Sequence, residues 1–295
     1  MENKKNSINI QNKEIKVKVN LHGAELVSLV DLTSDREYMW SGDSKYWGRV
    51  SPVLFPFVGK LNKQTYRYEG NEYTNIPQHG FARDCEFEVV EKSEDEVWLK
   101  LLSSELMMDK YPFDYALYIG YRLDGRKVHV MWKVENLGKK DLHFSIGAHP
   151  AFMCPGMDEG KKYYLDFHRQ VENLESGIIN SEGVLGERTK QVKFDRGVLE
   201  LSQELFSEDA LIFSGDGISE VSILNEDRQA FLSVKFNTPQ LGIWSPVGKN
   251  APFVCIEPWY GRCDREGFEG ELKNREYGNT LEANHTFEKE YVIEV

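Results

Sequence analysis

The chain has 295 residues, 40 % of them hydrophobic and 12 % aromatic, enough for a sizeable core in one large domain or two ordinary ones. Its formal charge is −12, and the clustered lysine and arginine that a nucleic-acid backbone demands are missing, so nucleic acid is excluded as a partner. No apolar run reaches membrane-spanning length and the polar start Met1–Asn12 lacks an apolar signal core, so the expectation is a soluble, cytoplasmic chain. The four cysteines, Cys85, Cys154, Cys255 and Cys263, show no CxxC pairing; free thiols are expected, not a zinc ribbon or a redox couple.

In chain order, Ile15, Val17, Val19 and Leu21 alternate with Lys16, Lys18 and Asn20, the period of a strand with one wet face. Cys85–Glu91 and Glu96–Leu102 read as further strands. Ser104–Lys110 reads as a turn or two of helix ending before Tyr111-Pro112. Leu117, Ile119, Tyr121 and Leu123 alternate again, and Asp124-Gly125 signals a hairpin into Val128, Val130, Trp132 and Val134. A second short helix fits Ser202–Ser207. Asp216-Gly217 marks a turn before strands over Glu220–Asn225, Phe231–Asn237 and Pro252–Glu257, and Phe287, Tyr291, Ile293 and Val295 share a face at the end. There is no βαβ rhythm, dinucleotide or phosphate loop, repeat or low-complexity linker. The reading is all-β: one domain over 1–295, a large antiparallel β-sandwich with few short helices.

Three segments set ionisable groups beside conformationally special residues: Pro77–Arg83, Ile146–Phe152 and Phe253–Gly261. In the first, His79 precedes Gly80, which permits close backbone or ligand approach. In the second, His149 precedes Pro150, which holds it extended. In the third, Glu257 ends an apolar run, where burial raises a carboxyl toward the range useful for proton transfer.

These segments, together with Gly23–Leu26, Tyr46-Trp47, Pro52–Pro56, Gly59–Leu61, Asp209–Phe213 and Leu241–Ser245, occur in the order found in the aldose 1-epimerase (galactose mutarotase-like) family, which the chain resembles, most closely in its bacterial LacX-type branch. The resemblance implies a β supersandwich with a sugar held in an open cleft, no cofactor, no metal, and a monomer or homodimer. It implies Glu257 as general base and His149 as general acid. His79 is implied to hydrogen-bond the sugar near its ring oxygen, and Asp209 to bind its hydroxyls. Lys60 stands where many relatives carry an arginine, and Arg83 is a further candidate for substrate contact; Lys offers a point charge without the planar fork of Arg. Mutarotation then needs a proton taken from the anomeric hydroxyl and one given to the ring oxygen. A bell-shaped pH profile is expected, with its acidic limb from Glu257 and its basic limb from His149.

Three rivals remain. His79, His149 and Glu257 have the ligand types of a facial metal triad, although they are far apart in sequence. A non-catalytic sugar-binding or sensing module would use the same sandwich, since fold does not fix function. A hexose 6-phosphate as substrate would require convergent cations, for which Lys60 and Arg83 are the candidates.

Overall fold

The computed structural model describes residues 6–215 and 217–295. Residues 1–5 of the polar start and Asp216 of the Asp216-Gly217 turn lie outside the described residues. Among the described residues, strands dominate in two large antiparallel sheets, and the helical segments are single turns such as Glu105–Met108 and Gln203–Phe206.

The nine-stranded sheet runs, in spatial order, Val198–Glu200, Tyr164–Asp166, Glu220–Leu224, Ala230–Phe236, Thr286–Glu294, Lys127–Asn136, Tyr115–Asp124, Glu96–Leu102 and Glu88–Lys92. Alternation set most of these. In Lys127–Asn136, Val128, Val130, Trp132 and Val134 are buried while the residues between them are partly exposed, and opposite them stand Leu123, Tyr121, Ile119 and Leu117. The connecting turn is Gly125-Arg126, one residue beyond the Asp124-Gly125 signal. Cys85–Glu91 shifts to Glu88–Lys92: Cys85 closes the 3-10 turn Ala82–Asp84, and the strand is exposed throughout.

The eight-stranded sheet runs Leu185–Lys193, Asn173–Ile179, Leu211–Ser214, Gln240–Trp244, Phe253–Tyr260, Ile146–Ala148 and Val53–Leu54, with Ala151–Met153 also pairing on Phe253–Tyr260. Its central strand outruns the expected Pro252–Glu257 by three residues. Nearly all of that strand is buried, so its two faces must be separated by what each touches. Val254 and Ile256 join the main core, with Leu211, Phe213, Leu241 and Ile243 of the same sheet and Val130, Trp132, Val234 and Ile293 of the other. Each such side chain contributes about 1.5–3 kcal/mol by leaving water. Phe253 and Cys255 join a separate small cluster with Trp40, Ala151 and Ala251, and Trp259 joins another with Leu54 and Ile212. The odd-numbered residues of this strand therefore face away from the main core, and Glu257 shares their parity.

Candidate active site

Trp259 lies across that outer face. A Cβ on Gly147 would come within 2.6 Å of its ring and one on Gly242 within 2.4 Å, so both neighbouring strands need glycine for the indole to lie close to the sheet. Its Nε1 donates to the Ala148 carbonyl at 3.2 Å. Around it opens a cleft of about 300 Å³ lined by, among others, Trp47, His79, His149, Asp209, Trp244 and Glu257. The structure thus brings together five of the six residues singled out above, since Arg83 also lines the cleft. Lys60 is not among the lining residues; its Nζ donates to the Glu182 carbonyl at 2.5 Å.

His149 sits between the strands Ile146–Ala148 and Ala151–Met153, both paired to the strand that carries Glu257. Its Nε2 lies 3.4 Å from Glu257 Oε2. The angles are not those of a hydrogen bond, and both Glu257 Oε2 and His149 Nδ1 are buried without a partner in the protein. Trp47 stacks on the imidazole at 4.7 Å, and Trp244 meets it edge-on at 5.3 Å. Both tryptophans lie in family-matching segments, but only the fold gives them this contact.

His79 reaches the cleft through backbone torsion. It has φ +65° and Gly80 φ +69°. A Cβ on Gly80 would lie 2.3 Å from the Phe55 carbonyl oxygen, so the position takes only glycine. Two reciprocal bonds lock the histidine: its N–H donates to the Gly59 carbonyl at 2.8 Å, and the Gly59 N–H donates to its Nδ1 at 3.0 Å. Because Nδ1 accepts, the neutral ring carries its proton on Nε2, and His79 is a hydrogen-bond donor. Burial, with His149 and Arg83 nearby, holds its pKa well below 6.5, so it stays neutral. Asp209 has φ +71°, and its Oδ1 accepts from the Ala210 N–H at 2.9 Å. The Arg83 guanidinium donates to the Gln78 carbonyl at 2.6 Å, its Nε is buried without a hydrogen bond, 3.8 Å from Asp84 Oδ2, and burial draws its pKa down to about 10.

Burial raises the Glu257 pKa well above 4.5, reinforced by the Asp209 charge. It lowers that of His149 to about 3, reinforced by Arg83 and Arg49. The order of the two groups is therefore inverted relative to the sequence expectation, because desolvation acts against both charges at once. Both groups are therefore held toward their neutral forms, the carboxyl protonated and the imidazole uncharged, with 3.4 Å between Glu257 Oε2 and His149 Nε2.

Among the described residues, the side chains with ligand atoms close enough to share a metal are His149, Cys255 and Glu257, all within 4.8 Å of one another. They are not the His79, His149 and Glu257 triad weighed from sequence. The His79 ring instead stands edge-on to His149 at 5.7 Å.

A profile described as Aldose 1-epimerase matches residues 6–274. The chain belongs to the aldose 1-epimerase family. It is 32 % identical over 267 residues to the plasmid LacX protein of Lactococcus lactis subsp. lactis, covering 86 % of this chain and 88 % of that one. The chromosomal LacX protein of the same organism matches at the same identity and coverage. A galactose mutarotase related enzyme from Lactobacillus acidophilus superposes with a TM-score of 0.90 at 30 % identity, covering 98 % of this chain and 96 % of that one. A galactose mutarotase-like protein from Lactobacillus casei ATCC 334 superposes with a TM-score of 0.91 at 29 % identity, covering 98 % and 99 %. The all-β fold is that of these mutarotase-like structures, and the general role that follows for an aldose epimerase family member is that of a carbohydrate epimerase or mutarotase. No helix among the described residues is long and apolar enough to cross a membrane.

Proposed function

We propose that the protein is an aldose 1-epimerase that interconverts the α and β anomers of a hexose by opening and reclosing the sugar ring. The observation that carries this reading is the His149–Glu257 pair, 3.4 Å apart, buried, and facing a cleft with hydrogen-bonding capacity unused. The two oxygens on an anomeric carbon are geminal neighbours, so a closely spaced acid and base can address both. Glu257, as carboxylate, takes the anomeric hydroxyl proton; His149, as imidazolium, protonates the ring oxygen. The C1–O5 bond breaks, rotation about C1–C2 presents the other carbonyl face, and reclosure with the protons returned inverts C1. A donated hydrogen bond from the sugar favours the Glu257 carboxylate, which draws the shared proton to His149 as the ligand arrives. His79 holds the ring oxygen by its Nε2–H and Asp209 holds hydroxyls, while Trp47 and Trp244 offer apolar faces to the sugar's C–H groups. Each placed proton transfer supplies about 10²–10⁴-fold.

Pure anomers, freshly dissolved and followed by polarimetry or NMR, test the proposal. At least one aldohexose should equilibrate faster than in buffer. Equilibration of every sugar at the buffer rate, with folded protein present, would leave a binding module instead. Arg83 in the cleft lining favours a second reading, a hexose 6-phosphate as substrate; including phosphorylated anomers in the panel separates the two.

A further inference from the structure

The central strand sets Cys255 two residues before Glu257, on the same outward face. Nothing in the proposed proton transfers uses this thiol. It is fully buried in the apolar cluster with Trp40, Ala151, Ala251 and Phe253. Yet its sulfur, a carboxylate oxygen of Glu257 and a ring nitrogen of His149 lie within 4.8 Å of one another, and the open side of the group is the cleft that His149 and Glu257 line. We propose that His149, Cys255 and Glu257 form a site for a thiophilic divalent cation such as Zn²⁺, and that its occupancy shuts the cleft to sugar.

The donor set is one nitrogen, one sulfur and one oxygen, each a common zinc ligand. A tetrahedral centre with bonds of about 2.0–2.3 Å separates its ligand atoms by roughly 3.3–3.8 Å. The 3.4 Å between His149 Nε2 and Glu257 Oε2 already falls in that span, and the sulfur lies within 4.8 Å of a ligand atom of each. The cleft that His149 and Glu257 line would leave room for a water as the fourth ligand. Charge balances as well. Metal binding needs the thiolate and the carboxylate, so each ligand gives up any proton it carries. A thiolate plus a carboxylate cancel the charge of a divalent cation, so the buried centre stays neutral. Glu257 Oε2, which has no partner in the protein, acquires one. The cation takes the lone pairs that the acid–base pair offers the sugar, so cation and sugar exclude one another. This last consequence rests on the mutarotase reading; the binding site itself does not.

The test uses the full chain, Zn²⁺ for calorimetry and Co²⁺ as a spectroscopic stand-in, with Cys255→Ala, the closer isostere Cys255→Ser, and Cys85→Ser as a control at the half-buried cysteine. The unaltered protein and Cys85→Ser should bind one equivalent of Zn²⁺ and show a thiolate-to-cobalt charge-transfer band. Both Cys255 variants should lose that band and bind Zn²⁺ at least about tenfold more weakly, since losing a ligand costs no less than losing a group that merely supports one. Where sugar turnover is observed, Zn²⁺ should suppress it competitively, a chelator should restore it, and Cys255→Ser should keep its activity while resisting Zn²⁺. Absence of stoichiometric Zn²⁺ and of the band, or a band that survives Cys255→Ala and disappears in Cys85→Ser, would overturn the site. Should no sugar be turned over at all, calorimetry and the cobalt spectrum still decide it separately.

Discussion

Two buried acid–base pairs lie close together in this molecule and behave in opposite ways. Arg275 and Asp264 form the first. Arg275 Nε donates to Asp264 Oδ1 at 2.7 Å, and its other nitrogens donate to the Arg262 carbonyl at 2.8 Å and to Ser145 Oγ at 3.4 Å. Asp264 Oδ2 accepts the Asn62 N–H at 2.9 Å. Every charge there is met by hydrogen bonds, the condition under which a buried pair survives as ions. His149 and Glu257 form the second: 3.4 Å apart, unbonded to each other, with one atom of each unpartnered. Burial drives both of these toward their neutral forms. The satisfied pair has nothing left to offer a ligand and serves the fold; the unsatisfied pair keeps its capacity for one. The first also supports the second. Asp264 bonds to the segment Lys60–Asn62, adjoining Gly59, and Gly59 holds His79 through its two reciprocal bonds.

The contrast breaks most sharply at Asp264. Asp264→Ala leaves the Arg275 guanidinium buried without its counter-charge and should lower unfolding stability by about 3–5 kcal/mol, measured by denaturant titration. Stability unchanged within error would mean that water replaces the carboxylate. Glu257→Gln is the opposite case. Its carboxyl is already held neutral, so stability at pH 7 should not fall, while kcat on the true sugar drops by about 10²-fold or more. Near-normal kcat would remove Glu257 as the base.

The same contrast is sharpened by pH. The folded pKa of Glu257 is raised above 4.5, so its contribution is full below 4.5 and is lost as pH rises through the folded value. The folded pKa of His149 is lowered from 6.5 to about 3, so its contribution is present above 6.5 and is lost as pH falls. Between pH 4.5 and 6.5 the two slopes oppose and cancel. In Glu257→Gln the His149 slope stands alone, so stability should fall on acidification more steeply than in the unaltered protein, by about 1.4 kcal/mol per pH unit; His79 contributes equally to both proteins. Parallel curves would refute the inverted order of the pair. Because His149 is the lower and Glu257 the higher of the two, the acidic limb of the activity profile should move in a His149→Asn variant, not the basic one.

The smallest effects separate Asp209 from Lys60. Asp209→Asn should raise KM about tenfold, the scale of a hydrogen bond to a charged group. Lys60→Ala, at a residue outside the cleft lining, should leave KM and stability close to unaltered, within about 0.5 kcal/mol. A KM rise equal to that of Asp209→Asn would return Lys60 to the site.

How much the chain reveals in advance depends on whether a strand has a wet face. Lys127–Asn136 and Tyr115–Asp124 alternate and were legible. Leu211–Ser214, Gln240–Trp244 and Ile146–Ala148 are mostly or wholly buried, or only three residues long, so no period of two marks them; these strands and their neighbours frame the cleft. Asn173–Ile179 does alternate between buried and more exposed positions, but Ser176 falls on the buried face between Leu174 and Ile178 and hides the pattern.

The residues themselves determined the all-β character, the family likeness in its ordered motifs, and the histidines and glutamate proposed for proton chemistry, because alternation and local motifs are properties of neighbours along the chain. The tertiary structure decided what depends on neighbours in space. It stacked Trp47 on His149, carried Lys60 to the Glu182 carbonyl, and set Cys255 within reach of His149 and Glu257. It also inverted the order in which Glu257 and His149 lose their protons, since desolvation is set by what surrounds a group, and no spacing in the sequence records that.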